Sequence, residues 1–176
     1  MKNSFNFLSS DSKTLTLALF HTQITDKEIQ LIQQVLKKTY NSVIDVYKAG
    51  EIELLDKAFN QQRNQYDADS LLRYLLKRKK SEIILWVVNK DLYCEGMNFV
   101  FGYAMYYKGA ILSIHRLQTQ DLIEKEAIHE VGHVLGLNHC SNECVMQYSN
   151  SLWEAKNKPT CLCKNCKRKL GLFKNH

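Results

Sequence analysis

The run His129-Glu-Val-Gly-His-Val-Leu-Gly-Leu-Asn-His139 leaves this chain little freedom in how it can fold locally. Residues four apart on an α-helix project from one face, separated by about 6 Å of rise, so His129 and His133 can address one point only from a helix. Gly136 then permits a sharp left-handed turn that its bulkier neighbours resist, sending Leu137-Asn138-His139 back beneath the helix with a third imidazole. Three histidine nitrogens can hold a zinc ion and leave one of its four positions open. Water in that position is acidified, Glu130 beside the first ligand can take its proton, and the nucleophile so formed can attack a carbonyl carbon. Glu130 can afterwards hand the proton to a departing amine. The short pattern His-Glu-x-x-His also occurs in helices that bind nothing, so Gly136 and His139 are what point to a metal centre. Glu130 as a merely supporting carboxylate is the alternative, but the motif offers no other base.

The flanking sequence supplies the helix. Thr119 can cap it, Asp121 lies in its first turn, and Leu122, Ile123, Ala127, Ile128, Val131, Val134 and Leu135 make a broad apolar face. Upstream, the apolar run Thr14 to Phe20 predicts a strand, and Asp26 to Lys38, with Ile29, Ile32, Val35 and Leu36 at helical spacing, predicts a helix. Ser42 to Tyr47 reads as a strand, Asp69 to Arg78 as a helix, and Ile83 to Val88 as a buried strand. Phe99 to Tyr107 and Ala110 to Ile114 read as a hairpin with Lys108-Gly109 as a two-residue turn. Strands alternating with helices predict an α/β fold, with a mixed twisted sheet, a backing helix and the active-site helix. After Gly136 periodicity is lost, the single Pro stands at 159, and Cys and Lys accumulate, which predicts an irregular lower subdomain. At 176 residues and 45% hydrophobic content the chain is expected to be one domain with its own core, 1–136 forming an upper part and 137–176 a lower one.

Composition narrows the setting. The first ten residues lack the long apolar stretch of a secretory leader, and no run is long enough to span a bilayer, so a cytoplasmic protein with reduced thiols is expected. The six cysteines are then metal ligands or free thiols rather than disulfides. The net charge of +6 is uneven: residues 140–176 carry +5 of it, together with five of the cysteines. Four thiolates around one zinc carry a formal charge of minus two, which Lys164, Lys167, Arg168 and Lys169 can offset, so the basic tail does not require nucleic acid as a partner. The cluster Lys77-Arg-Lys-Lys80 ends a predicted helix, where cations complement the helix dipole. Cys163-x-x-Cys166 is a tight thiolate pair and Cys140 with Cys144 a looser one. Together they predict a closed structural site that pins the tail to the turn carrying His139, with Cys161 in place of Cys163 as an alternative. Cys94 stands alone as a buried or free thiol.

The eleven-residue motif resembles that of the metzincin clan of zinc peptidases, and the wider pattern resembles the archaemetzincins. In that family the third histidine is followed by Cys, then Cys-x-Met, then a distant Cys-x-x-Cys; Cys140, Cys144-Val-Met146 and Cys163-Lys-Asn-Cys166 take those places. Asn98-Phe-Val-Phe-Gly-Tyr-Ala104 and Ser113-Ile-His-Arg-Leu117 are also similar to the strands before the family's active-site helix, so the likeness covers most of the chain. The gaps from Cys140 to Cys144 and from Met146 to Cys163 are each one residue shorter than in the family pattern. The resemblance implies a compact metzincin-like catalytic domain, hydrolysis of peptide bonds, Met146 as a Met-turn residue packing below the metal, and two Zn²⁺ per chain.

Other positions carry open alternatives. Tyr148 is placed for an oxyanion donor or fifth zinc ligand, as in some metzincins, or for plain packing. Phe99 to Tyr107 can be an edge strand that aligns substrate by strand addition, or an interior strand. Glu95 just before it can bind a substrate's free amine, which would mean aminopeptidase action, or be a surface residue. His21, His115 and His176 are read as structural or solvated. A monomer acting on peptides is expected. The contrasting reading is a zinc-stabilised module binding nucleic acid or protein with a vestigial histidine site, which Glu130 argues against because a non-catalytic site needs no carboxylate there.

Overall fold

The computed structural model describes residues 14–78 and 83–172; Lys79, Lys80 and His176 lie outside them. In chain order the elements are β1 (Leu15–Thr22), α1 (Asp26–Tyr40), β2 (Ile44–Glu51), a 3-10 turn (Asp56–Ala58), β3 (Phe59–Asn60), β4 (Gln65–Asp67), α2 (Ala68–Arg78), β5 (Ile83–Val88), β6 (Leu92–Tyr93), β7 (Gly102–Met105), β8 (Gly109–Ser113), α3 (Gln120–Val134), α4 (Leu152–Asn157) and α5 (Lys164–Lys169).

Five strands form one sheet in the order β2-β1-β5-β8-β7, parallel except for the antiparallel β7–β8 pair at one edge. Alternation in β5 sorts the core into two halves. Ile83, Leu85 and Val87 face a cluster with Ile29, Ile32 and Leu36 of α1 and Leu122, Ala127 and Val131 of α3, whereas Ile84, Trp86 and Val88 face Leu71, Leu72 and Leu75 of α2. Helices on both faces explain why β5 is apolar throughout. α1 starts at Thr25, whose hydroxyl accepts from the Glu28 N–H while the Glu28 carboxylate accepts from the Thr25 N–H, a reciprocal cap written as Thr-x-x-Glu. Among the described residues, no helix is long and apolar enough to cross a membrane.

Two local expectations are corrected. The hairpin turn is Tyr106 to Lys108 rather than Lys108-Gly109, with Tyr107 at φ +60°. Its N–H donates to the carbonyl of Val134, one of the unpaired carbonyls that end α3. Gly109 is already in β8, where a Cβ would stand 2.8 Å from the Ile84 carbonyl oxygen. The segment Phe99 to Tyr107 is not one strand: Val100 turns away to pair with Leu92, and only Gly102–Met105 joins the main sheet. The lower part is mostly irregular, as expected, and holds two six-residue helices, α4, capped by Ser151, and α5. A small sheet, β3-β4-β6, was not foreseen at all.

Candidate active site and metal centres

α3 begins at Thr119, whose hydroxyl accepts from the Leu122 N–H, and carries His129, Glu130 and His133 on its cleft side. It stops at Gly136, which has φ +93° and is doubly constrained. Its N–H donates to the His133 carbonyl, and a Cβ would fall 2.4 Å from the Tyr107 hydroxyl oxygen. The turn brings His139 back, so one ring nitrogen from each of His129, His133 and His139 lies within 4.8 Å of the other two.

The imidazoles are aimed. His129 Nδ1 donates to the Val145 carbonyl at 2.9 Å and His133 Nδ1 to the Leu137 carbonyl at 2.7 Å, when each Nε2 is left free as an acceptor. The two Nε2 atoms are 3.0 Å apart. Zinc bonds of about 2.0–2.1 Å place nitrogens about 3.3 Å apart in a tetrahedron, so the donor set fits zinc with small adjustment. Burial lowers the pKa of all three rings; for His129 it is joined by Lys158 and His133. Neutral rings are the ligating form.

Glu130 is buried, and burial first, then Glu126, push its carboxyl up to about 8, against the pull of Lys158. A divalent cation on the neighbouring imidazoles acts in the opposite direction, so the group is placed to exchange a proton near neutral pH. It packs against the edge strand: a Cβ on Gly102 would stand 2.4 Å from the Glu130 Cδ. Below the helix, a Cβ on Gly132 would meet the Met146 sulfur at 2.5 Å, so Met146, fully buried, fills the space that glycine leaves.

A cavity of about 320 Å³ opens over these groups, lined by the three histidines and Glu130 and bounded by residues 99–104 of the sheet edge and by Tyr148. The Tyr148 ring stands edge-on to His139, with centroids 4.8 Å apart, and is 52% exposed. β7 is an edge strand with its outer side free among the described residues. Glu95 is exposed and outside the lining, and His115 is exposed; His21 is buried at the end of β1. Cys94 is half-buried at the cavity wall, where burial first, then Asp67, push its thiol up to about 11.

The second cluster begins at the residue after His139. Cys140, Cys144, Cys163 and Cys166 each bring a sulfur within 4.8 Å of the others, with Cys140–Cys163 at 3.8 Å and Cys144–Cys166 at 3.7 Å. Zinc–thiolate bonds of about 2.3 Å put sulfurs about 3.8 Å apart, so this donor set also fits zinc. Burial opposes ionisation of Cys163, but the Cys166 N–H and the thiols of Cys166, Cys140 and Cys144 outweigh it and hold it at about 6. Cys161 is exposed and points its carbonyl, not its sulfur, into the structure, accepting from the Val145 N–H.

Among the lining residues to which the sequence assigned no individual role are Gly102, Tyr106, Glu126, Ser149 and Lys158. Tyr106 donates its hydroxyl to Asn138 beside the third histidine. Lys158 and Glu126 form a buried ion pair at 2.7 Å. Glu126, four residues before Glu130 on an otherwise apolar helix face, was the one visible signal; nothing local marks Lys158.

The family described as peptidase family M54 matches residues 20–172. The archaemetzincin of Nanoarchaeum equitans is 43% identical over 123 residues, 70% of this chain and 72% of that protein. The crystal structure of archaemetzincin from Archaeoglobus fulgidus, complexed with malonate, superposes with a TM-score of 0.81 at 35% identity, covering 88% of this chain and 99% of that one. A zinc-dependent peptidase from Methanocorpusculum labreanum superposes with a TM-score of 0.76 at 27% identity, covering 88% and 99%.

Proposed function

The chain belongs to peptidase family M54, the archaemetzincins, and is a zinc-dependent peptidase; on that premise we propose that His129, His133 and His139 hold the catalytic zinc and that Glu130 is the general base. Cys140, Cys144, Cys163 and Cys166 hold a second, structural zinc, Gly136 and Met146 shape the histidine site, and the chain works as one domain in two parts, 1–136 and 137–176. The observation that carries this is the convergence of three ring nitrogens beside a buried carboxylate in one open cavity.

Zinc in such a site supplies Lewis acidity to water and to the scissile carbonyl. The residues of the chain do the rest. A peptide adds to the free side of β7 as an extended strand, which holds its backbone fixed relative to α3. Glu130 takes the proton from the attacking water and delivers it to the amine nitrogen as the C–N bond breaks. Packed against Gly102 and walled from solvent, its carboxylate has one narrow range of positions from which to do so. Tyr148 packs edge-on against His139, with a role for its hydroxyl as oxyanion donor or fifth ligand as the alternative. A reducing, cytoplasmic setting and a monomeric state complete the reading.

The test is metal content per chain for wild type and Glu130→Ala, with chelator-sensitive cleavage of a mixed peptide library. Two zinc ions in both and cleavage by wild type alone is the expected result; one zinc and no cleavage by either would overturn the assignment of the histidine site.

A further inference from the structure

The reaction described above leaves three polar groups in the cavity without a task. Glu126 lies one helical turn before Glu130, and it and the Lys158 side chain are 3% and 1% exposed, the most deeply buried charged pair there. Their charged atoms stand 2.7 Å apart, yet Glu126 Oε1 has no aligned hydrogen bond among the described residues. The other contact of the Lys158 ammonium, 3.4 Å to His129 Nδ1, cannot accept when that nitrogen donates to the Val145 carbonyl. Ser149 Oγ is likewise buried without a partner among the described residues. All three residues share the cavity lining with Phe99, Val100 and Phe101, which are apolar.

The pair is not needed as a fastening. α4 is already tied to α3 by the Lys125 ammonium on the Lys156 carbonyl at 2.8 Å and, just beyond it, by the Thr160 hydroxyl on Asp121 at 3.0 Å. Buried polar groups without partners are costly, and where they open on a binding cavity they select what can satisfy them.

We propose that Glu126, Lys158 and Ser149 form a specificity subsite for the carboxamide side chain of Asn or Gln in a residue flanking the scissile bond. This rests on the reading of the histidine centre as the catalytic zinc site. The charges of Glu126 and Lys158 cancel, so a charged side chain would bring a net charge into a buried site. An aliphatic one would leave Glu126 Oε1 and Ser149 Oγ without an aligned hydrogen bond, and a site built around hydrogen bonds rejects an isostere that lacks them. A carboxamide presents donor and acceptor on separate atoms: its NH₂ donates to Glu126, and its oxygen accepts from the Lys158 ammonium or the Ser149 hydroxyl.

The experiment titrates the zinc-loaded protein calorimetrically with short peptide hydroxamates that differ in one side chain, Gln, Asn, Met, Leu, Glu, Lys or Gly, placed on either side of the zinc-binding group. The hydroxamate reports the metal and the side chain reports the subsite. In one of the two placements, Gln or Asn is expected to bind at least about tenfold tighter than its isostere Met or Leu and than Glu or Lys, and this preference is expected to fall to within about threefold in the double variant Glu126→Gln, Lys158→Met, which removes both charges together. Should that variant fail to retain zinc, Ser149→Ala is expected to reduce the preference by about threefold or more. A charged or aliphatic analogue binding best to wild type, or a ranking unmoved by these substitutions, overturns the subsite. Failure of every analogue, the Gly compound included, overturns the zinc-site reading beneath it.

Discussion

The histidine cluster is carried mostly by one helix, while the cysteine cluster joins a turn at 140–144 to the N-terminal end of α5, with α4 between them. In the first, backbone geometry sets two ligands before any metal arrives, two carbonyls aim the rings, and the surroundings keep a raised carboxyl, a buried ion pair and an open cavity. In the second, four thiols would fill every position of a zinc ion, and they come from a turn and from the start of a six-residue helix. One donor set is prepared and left incomplete, which suits chemistry; the other offers four thiols, which suits a closed structural site.

The sharpest way to break that contrast is to remove two thiols. Zinc held by four thiolates contributes on the order of 10 kcal/mol in small zinc-folded peptides. Cys144→Ser with Cys166→Ser is therefore expected to lose the structural zinc, open 137–172 to protease, and abolish peptide cleavage. Limited proteolysis with metal analysis measures it, and a variant that keeps full activity would show the two clusters to be independent.

Glu130→Gln comes next, with cleavage down about 10²–10⁴-fold while both zinc ions stay bound. It also carries a pH signature. With a carboxyl near 8 in the folded chain and 4.5 as the ordinary value, the metal-free native state keeps a proton that the unfolded state releases between those pH values. Wild-type stability contributed by this group therefore falls as pH rises from about 4.5 to about 8, and Glu130→Gln should be the more stable protein at pH 8.5 by a few kcal/mol. Denaturant titration with the histidine site emptied and the cysteine-bound zinc retained, checked by metal content, measures the gap, which should close near pH 4.5 and shrink when the histidine-site zinc is restored; a gap that widens toward acid would mean that the carboxylate is already ionised in the fold.

Gly102→Ala should cost about 100-fold in kcat/KM, because its methyl must displace the Glu130 side chain, and misplacement of a catalytic group by about 1 Å has effects of that size. Steady-state kinetics beside a thermal melt decides it, with wild-type kinetics meaning that the carboxylate has another position from which to act. Tyr148→Phe is expected to change kcat/KM by less than about threefold, since half of the ring is exposed and it packs on His139. A loss of about 100-fold or more would instead make the hydroxyl an oxyanion donor.

What the sequence made legible was local. The active-site helix, its Thr119 cap, its stop at Gly136 and the fully apolar β5 follow from periodicity and cap chemistry within a few residues. The strands of the small sheet, two or three residues each, and the six-residue α4 and α5 are too short to show any period. The Tyr106–Lys108 turn was hidden because its conformation is set by a bond from Tyr107 to Val134, 27 positions on. Gly102 against Glu130 and Lys158 against Glu126 are likewise tertiary meetings, and neither residue looks unusual among its neighbours.

His139 and Cys140 are adjacent in the chain, and Val145, whose carbonyl holds His129, follows Cys144 directly. One peptide bond thus joins a ligand of each metal, and a second short bridge runs through Val145. Any equilibrium that orders one site must order part of the other, so two ions bound as proposed would act as positive effectors of one another. By reciprocity, whatever factor the thiolate-bound ion adds to the affinity of the imidazoles, the imidazole-bound ion returns to the thiolates. With both sites filled as proposed, oxidation or stripping of the cysteines would lower catalytic loading without touching a residue that meets the substrate.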